Sequence, residues 1–364
     1  MRGLKIFGLS YFSYLLIALY ANYFNPQLRD ILYSRGFVPS YLVWGTAMAL
    51  LFFAVFALGY LSDLPLPPMF IAAVALVVSL YDFPPAFLVV CLLLLAYKLD
   101  LDPLRRFSSV AIALSLAIPP ILYVLNGVPL LDPSLRYELV GPLVLLALLG
   151  ALGMSYSQLP LMWKTVLLGA YTVVFLLGSF RSLVALIYIV YLLDVYFTDI
   201  NPLRHKTAIA GVLAALFLIV LWMSGGINVL LIRVGFTFLV FHNLVRLALP
   251  FGLFHGMLLF SDNPRYLVGQ LFGTTTHYTY FFFGQAVADF GILGIIEAFF
   301  LGILLRRSED SLDSMTLALS VMVYALDSGI DAMLLLFILT AVLFSKPKAG
   351  TQEDIGEPEN GTVS

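Results

Sequence analysis

The sequence predicts an all-α polytopic membrane protein with about twelve transmembrane helices and a long outer loop of interfacial or re-entrant helices. Three observations carry that prediction. The 364 residues are 62% hydrophobic and only 11% charged, whereas a soluble domain runs nearer half apolar and a quarter charged. Apolar runs of membrane-spanning length recur along the chain, and its mean hydropathy is +1.01. Short basic connections alternate with less basic ones, as they do when loops fall on opposite sides of a bilayer.

The runs lie at 4–23, 41–61, 66–81, 84–97, 107–125, 138–154, 161–178, 181–197, 207–224, 279–305, 314–328 and 331–345. The shortest of them fit tilted helices or half-helices equally well. Met1-Arg2-Gly3-Leu4-Lys5 resembles the start of a secretory signal. No small-residue cleavage site follows it, so 4–23 reads as an uncleaved first span. With the N-terminus in the cytoplasm, the inner connections are 98–106, 198–206 and 306–313, each short and basic. The C-terminus is then cytoplasmic too. Residues 1–345 form one helical domain in the cell membrane, and 346–364 are polar, with Pro and Gly, as in a disordered cytoplasmic tail. The Asn360-Gly361-Thr362 sequon lies in that tail and is expected to carry no sugar.

The connection 224–278 is the longest and lies on the outer side. Its two apolar runs, 227–241 and 247–260, read as helices in the interface or re-entering the bilayer, because a free loop is neither so long nor so apolar. A full crossing by 227–249 would put Arg306 and Arg307 outside and is disfavoured.

Several classes are excluded. A net charge of −2 argues against a nucleic-acid partner. The single cysteine, Cys91, sits in an apolar run and reads as a small buried hydrophobe. No Gly-rich nucleotide loop, clustered cysteines or H-E-x-x-H is present, so no cofactor and no metal are expected. Asp100-Leu101-Asp102 has a metal-binding spacing but falls in a basic inner loop. No internal repeat is visible, which disfavours transporters built from inverted halves.

The charged residues divide unevenly. The outer set is Arg29, Arg35, Arg136, Arg181, Arg233, Arg246 and Arg265; the lysines Lys5, Lys98, Lys164, Lys206, Lys346 and Lys348 are all inner. Arginine presents a planar fork that binds phosphate oxygens in pairs, whereas lysine is a hydrated point charge. The outer surface therefore suits a phosphorylated ligand. Arg136 follows a Gly-x-Pro turn and is either an anion binder on a lid or a snorkelling connector residue. Arg181, in Gly178-Ser179-Phe180-Arg181, is placed by so tight a turn that it sits at the outer boundary, where an arginine usually faces a cavity or partner. The long segment holds Arg233, Arg246 and Arg265 with His242, His255 and His277; histidine is the side chain suited to move a proton near neutral pH. Asp289 and Glu297 fall inside a span, and Asp289 stands four residues after Gln285, the spacing of a hydrogen-bonded pair. Asp327 and Asp331 flank a tight outer turn and read as helix caps. In a transporter they would form a coupling site with Asp289 and Glu297.

The stretches GVPLLDPSLR, GSFRS, IRVGFT and HYTYFFFGQAVADFGILGIIEAFFLGILL resemble the O-antigen polymerase and ligase superfamily, in particular the prokaryotic oligosaccharide repeat unit polymerases. The resemblance covers roughly residues 120–305 and includes the D-x-G-x-x-G of Asp289, Gly291 and Gly294. It implies a GT-C-like membrane fold and glycosyl transfer at the outer face. The donor is a polyprenyl-diphosphate-linked oligosaccharide, among membrane lipids, and neither metal nor cofactor takes part. On this resemblance Arg181 and Arg233 hold the diphosphate and His277 is the first choice of base. Arg136 matches a further motif arginine. Arg246, Arg265, His242, His255 and Asp289 are left to bind diphosphate or glycan. Ligase-like members carry His-Asn where this chain has His277-Tyr278, so the histidine's role is open. The oligomeric state is also open.

Overall fold

The computed structural model describes residues 1–34, 42–82, 84–198 and 206–345. Among them the chain is helical and carries no strand. Helices form along the apolar runs and stop at Gly, Pro or polar residues, as propensity dictates. The first six are α1 (Arg2–Phe24), α2 (Pro26–Ser34), α3 (Val43–Leu61), α4 (Pro68–Asp82), α5 (Pro84–Lys98) and the short α6 (Pro103–Arg106). Next come α7 (Ser108–Asn126), α8 (Arg136–Tyr156), α9 (Leu161–Leu177), α10 (Arg181–Thr198), α11 (Lys206–Ser224) and α12 (Ile227–Ala248). The last are α13 (Pro264–Leu271), α14 (Gly284–Phe290), α15 (Ile295–Ser308), α16 (Leu312–Tyr324) and α17 (Ala332–Leu343). Among the described residues seven helical segments are long and apolar enough to cross a membrane, and six shorter apolar helices accompany them. The protein is a multi-pass membrane protein.

The two ends of the bundle differ in chemistry. At one end Glu309 accepts hydrogen bonds from the Met1 amino group at 3.0 Å, the Gly3 N–H at 2.6 Å and the Tyr60 hydroxyl at 2.7 Å. Arg105 and Asp313 pair at the same end, at 2.7 Å. The opposite end carries Arg136 and Arg181 at helix starts, with Asp327 and Asp331 between α16 and α17. Lys5, Lys98, Lys164 and Lys206 all belong to helix ends on the Glu309 side. Arg35, His205, Lys346, Lys348 and the tail lie outside the described residues.

Two segments take a form the sequence left open. Residues 227–248, expected in the interface or re-entering the bilayer, form one helix of 22 residues, long and apolar enough to cross. It descends antiparallel to α1: the Asn25 side-chain N–H₂ donates to Asn228 at 2.6 Å, and deeper down Asn22 donates to the Gly235 carbonyl at 2.8 Å. The chain then returns, because Ser261 to Arg265 line the same cavity as Arg136 and Arg233. The run 247–260 is helical only as far as Ala248, the end of α12. Turns follow, held from below by α14: Leu253 and Phe254 donate to the Ala288 carbonyl.

The second is 279–305, expected as one span; Gly284–Ser308 is long and apolar enough to be one, but its helix is interrupted. It breaks after Phe290, where Gly291 has φ +60°, and restarts through a one-turn 3-10 helix into α15. A Cβ on Gly291 would lie 2.3 Å from the Pro250 carbonyl oxygen. The D-x-G-x-x-G motif is therefore what lets the returning loop press against the broken helix.

α3 and α15 pack backbone to backbone, as small residues allow in lipid. A Cβ on Gly302 would meet the Phe56 carbonyl oxygen at 2.0 Å, and one on Gly59 would meet that of Phe299 at 2.1 Å. Gly302→Leu forces these helices apart and is expected to cost about 1–3 kcal/mol, the range for overpacking. A lower melting temperature of the detergent-purified variant checks this, and an unchanged one contradicts the packing.

Candidate functional site

A cavity of about 530 Å³ opens at the arginine end. Its wall takes Arg136 and Tyr137 from α8, Arg233 from α12, Arg265 at the start of α13, His277 from the following loop, and Asp327 and Asp331 from the α16–α17 turn. Each arrives by a local device. Asp132 caps the one-turn 3-10 helix Pro133–Leu135, which sets Arg136 as the first residue of α8. The Arg136 guanidinium lies 5.0 Å from the centroid of the Phe180 ring, a stacking that arginine supports and lysine does not match. Ser179 takes φ +59° in the α9–α10 turn, so Arg181 begins α10 at once. Phe180 and Ser182 line the cavity on either side of Arg181, whose Nη1 donates to Ser224 at 2.6 Å.

The four arginines fall into two kinds. Arg233 donates through Nε to Asp327 at 2.9 Å, and Tyr14 of α1 donates to the other oxygen of that carboxylate at 2.7 Å. Arg265 lies 3.3 Å from Asp331, which also caps α17 through the Leu334 N–H at 2.9 Å. Among the described residues Arg136 and Arg181 have no carboxylate partner. Arg136, Arg181 and Arg233 are close enough for their charges to repel one another. Like charges held together beside a cavity are unfavourable until an anion enters.

His277 stands between two tyrosines. Its ring lies 5.2 Å from Tyr137 and 5.7 Å from Tyr266, centroid to centroid. Burial first, and the Arg265 charge second, hold its imidazole below the ordinary range. The charged imidazolium is therefore disfavoured at this position.

Arg181 itself does not line the cavity, and neither do the remaining candidates. Asp289 is fully buried; it accepts from the Leu258 and Leu259 N–H groups and from Gln285, each at 2.9 Å. Its acceptor capacity is spent on fixing the returning loop. The expected Gln285–Asp289 pair is thus present, but it belongs to a larger knot. His242 is buried and receives the Gly45 N–H at Nδ1, 3.2 Å away, between α12 and α3. Arg246 is exposed near the end of α12, and His255 is exposed in the returning loop with φ +50°.

Two features escaped the sequence. Asp327 and Asp331 signalled themselves as acids four apart at an outer turn, but their partners come from α12 and α13, far away in the chain. Tyr14 gave no signal, since a tyrosine inside a span is ordinary. Among the described residues no group of three or more His, Cys, Asp or Glu is gathered to hold a metal ion.

Residues 11–338 match the O-antigen polymerase family model. No curated protein and no solved structure matches the chain. The matched region runs from α1 to α17 and holds every cavity residue named above. The chain belongs to the O-antigen polymerase family, glycosyltransferase-like enzymes of membrane polysaccharide synthesis.

Proposed function

We propose that the protein joins oligosaccharide units from polyprenyl-diphosphate carriers, in the cavity, on the outer face of the cell membrane. The observation that carries this reading is the pair of arginines with no carboxylate hydrogen-bond partner among the described residues, Arg136 in the cavity wall and Arg181 behind it, together with a cavity histidine whose charged form is disfavoured. In the reaction an acceptor hydroxyl attacks the anomeric carbon of the donor. The bond from that carbon to the diphosphate oxygen breaks, and the lipid diphosphate leaves with the electron pair. Charge grows on the leaving oxygens, where oriented guanidinium groups stabilise it more than they stabilise the bound donor. Arg136 and Arg181 supply net charge. Arg233 and Arg265, partly neutralised by Asp327 and Asp331, supply directed N–H donors. His277 takes the acceptor proton.

The carboxylate partners oppose the transporter reading, because Asp327 and Asp331 are engaged by arginines rather than open to a coupling ion. The cavity is lined from the arginine end, while the Glu309 network ties the other end together. Both termini lie in the cytoplasm in this reading. About twelve crossings follow, counting the descent and return of 227–262 as none.

Four arginines take the place a divalent cation would fill, so the reaction runs without metal. Purified protein given lipid-linked oligosaccharide in excess EDTA is expected to yield a ladder of polymers at its full rate. Loss of product in chelator, restored by added Mg²⁺ or Mn²⁺, would contradict this chemistry. A single transferred product in place of a ladder would make the enzyme a ligase.

A further inference from the structure

The cavity has a second chemical character, which the diphosphate does not use. Tyr137 is 61% exposed although it stands in the first turn of α8 and lines the cavity. Its ring lies against His277, which also lines the cavity, and Tyr266 backs His277 from outside the lining. Glu138 and Asp262, both exposed, line the same cavity, as does Asn263. Exposed aromatic rings present a flat, electron-rich face, and a pyranose offers it a patch of polarised C–H bonds. Carboxylate and amide side chains at the edge are suited to the ring hydroxyls, since the first accept hydrogen bonds and the second both give and accept them.

We propose that Tyr137, with His277 beside it, forms the stacking wall of a subsite for the acceptor sugar. The inference rests on the proposed function and deepens it. In that reaction the leaving diphosphate and the attacking hydroxyl lie on opposite sides of the anomeric carbon. The arginines mark the diphosphate side and His277 marks the hydroxyl side. The sugar ring within reach of His277 is then the acceptor, and Tyr137 is the face it rests on. Tyr137 acts by holding the ring so that its hydroxyl points at His277; it takes no proton itself.

The test separates acceptor from donor. Lipid-linked oligosaccharide from the source membranes serves as donor, and the free oligosaccharide, released from the same lipid by mild acid, serves as the varied acceptor. Tyr137→Ala is expected to raise the acceptor KM about three- to tenfold, the worth of one aromatic contact, with little change in kcat or in dependence on donor concentration. Tyr137→Phe is expected to restore the wild-type KM, because the ring is kept. An unchanged acceptor KM in Tyr137→Ala overturns the subsite. So does an equal loss in both variants, or a loss confined to kcat. Wild-type protein that transfers nothing, to the free oligosaccharide or to a second lipid-linked one, would instead defeat the proposed function.

Discussion

Arg181→Ala is expected to lower the transfer rate about a hundred- to a thousandfold, the usual effect of removing one preorganised donor from a developing anion. The variant should reach the membrane at the wild-type level. The reason lies in charge accounting. Arg233 and Arg265 come to the cavity with Asp327 and Asp331 on their guanidinium groups. Among the described residues Arg181 hydrogen-bonds only the Ser224 hydroxyl, and Asp327 acts on it through space without an ion pair. Its charge is free to meet a diphosphate, and its loss is not made good by neighbours already engaged. Arg181→Lys keeps the charge but loses the paired N–H geometry and should recover only part of the rate. The measurement is polymer formed per unit time from purified lipid-linked oligosaccharide. A wild-type rate in Arg181→Ala would move the diphosphate away from α10 and leave the charge argument without support.

The second large effect belongs to His277. Its replacement by alanine is expected to lower kcat about a hundred- to ten-thousandfold, the range for loss of a general base. The pH profile of the wild-type enzyme gives an independent reading. Burial and the Arg265 charge both disfavour imidazolium, so the folded protein holds the neutral ring to lower pH than a free histidine does. Activity should therefore rise with pH through an inflection below the ordinary value of about 6.5 and stay level above it. His277→Ala should lose that acidic limb together with its rate. A limb that survives the substitution unchanged would assign the proton to another group.

Much of the architecture was open to reading in the residues themselves. Helix positions follow from apolar runs, because lipid leaves the backbone no partners except its own. The separation of lysine from the outer arginines was equally visible, and the described lysines do fall at the Glu309 end. Broken segments were harder. The sequence 279–305 reads as one span because hydropathy cannot register a single φ of +60° at Gly291. The segment 227–260 reads as helices in the interface or re-entering the bilayer, and its sequence does not show that Arg233 is matched by an acid of the α16–α17 turn.

The sequence by itself determined that this chain is a membrane bundle with its lysines apart from a set of arginines and histidines. Composition and periodicity are local properties, and the cost of placing charge in lipid reports them directly. Only the tertiary structure decided which of those groups meet. It drew Arg136, Arg233, Arg265 and His277 to one cavity, set Arg181 behind the Phe180 and Ser182 of its wall, turned Asp289 and His242 to holding the loop and helices in place, and left Arg246 and His255 outside. Such pairings join residues tens to hundreds of positions apart, and packing between helices sets them, which no window along the chain contains.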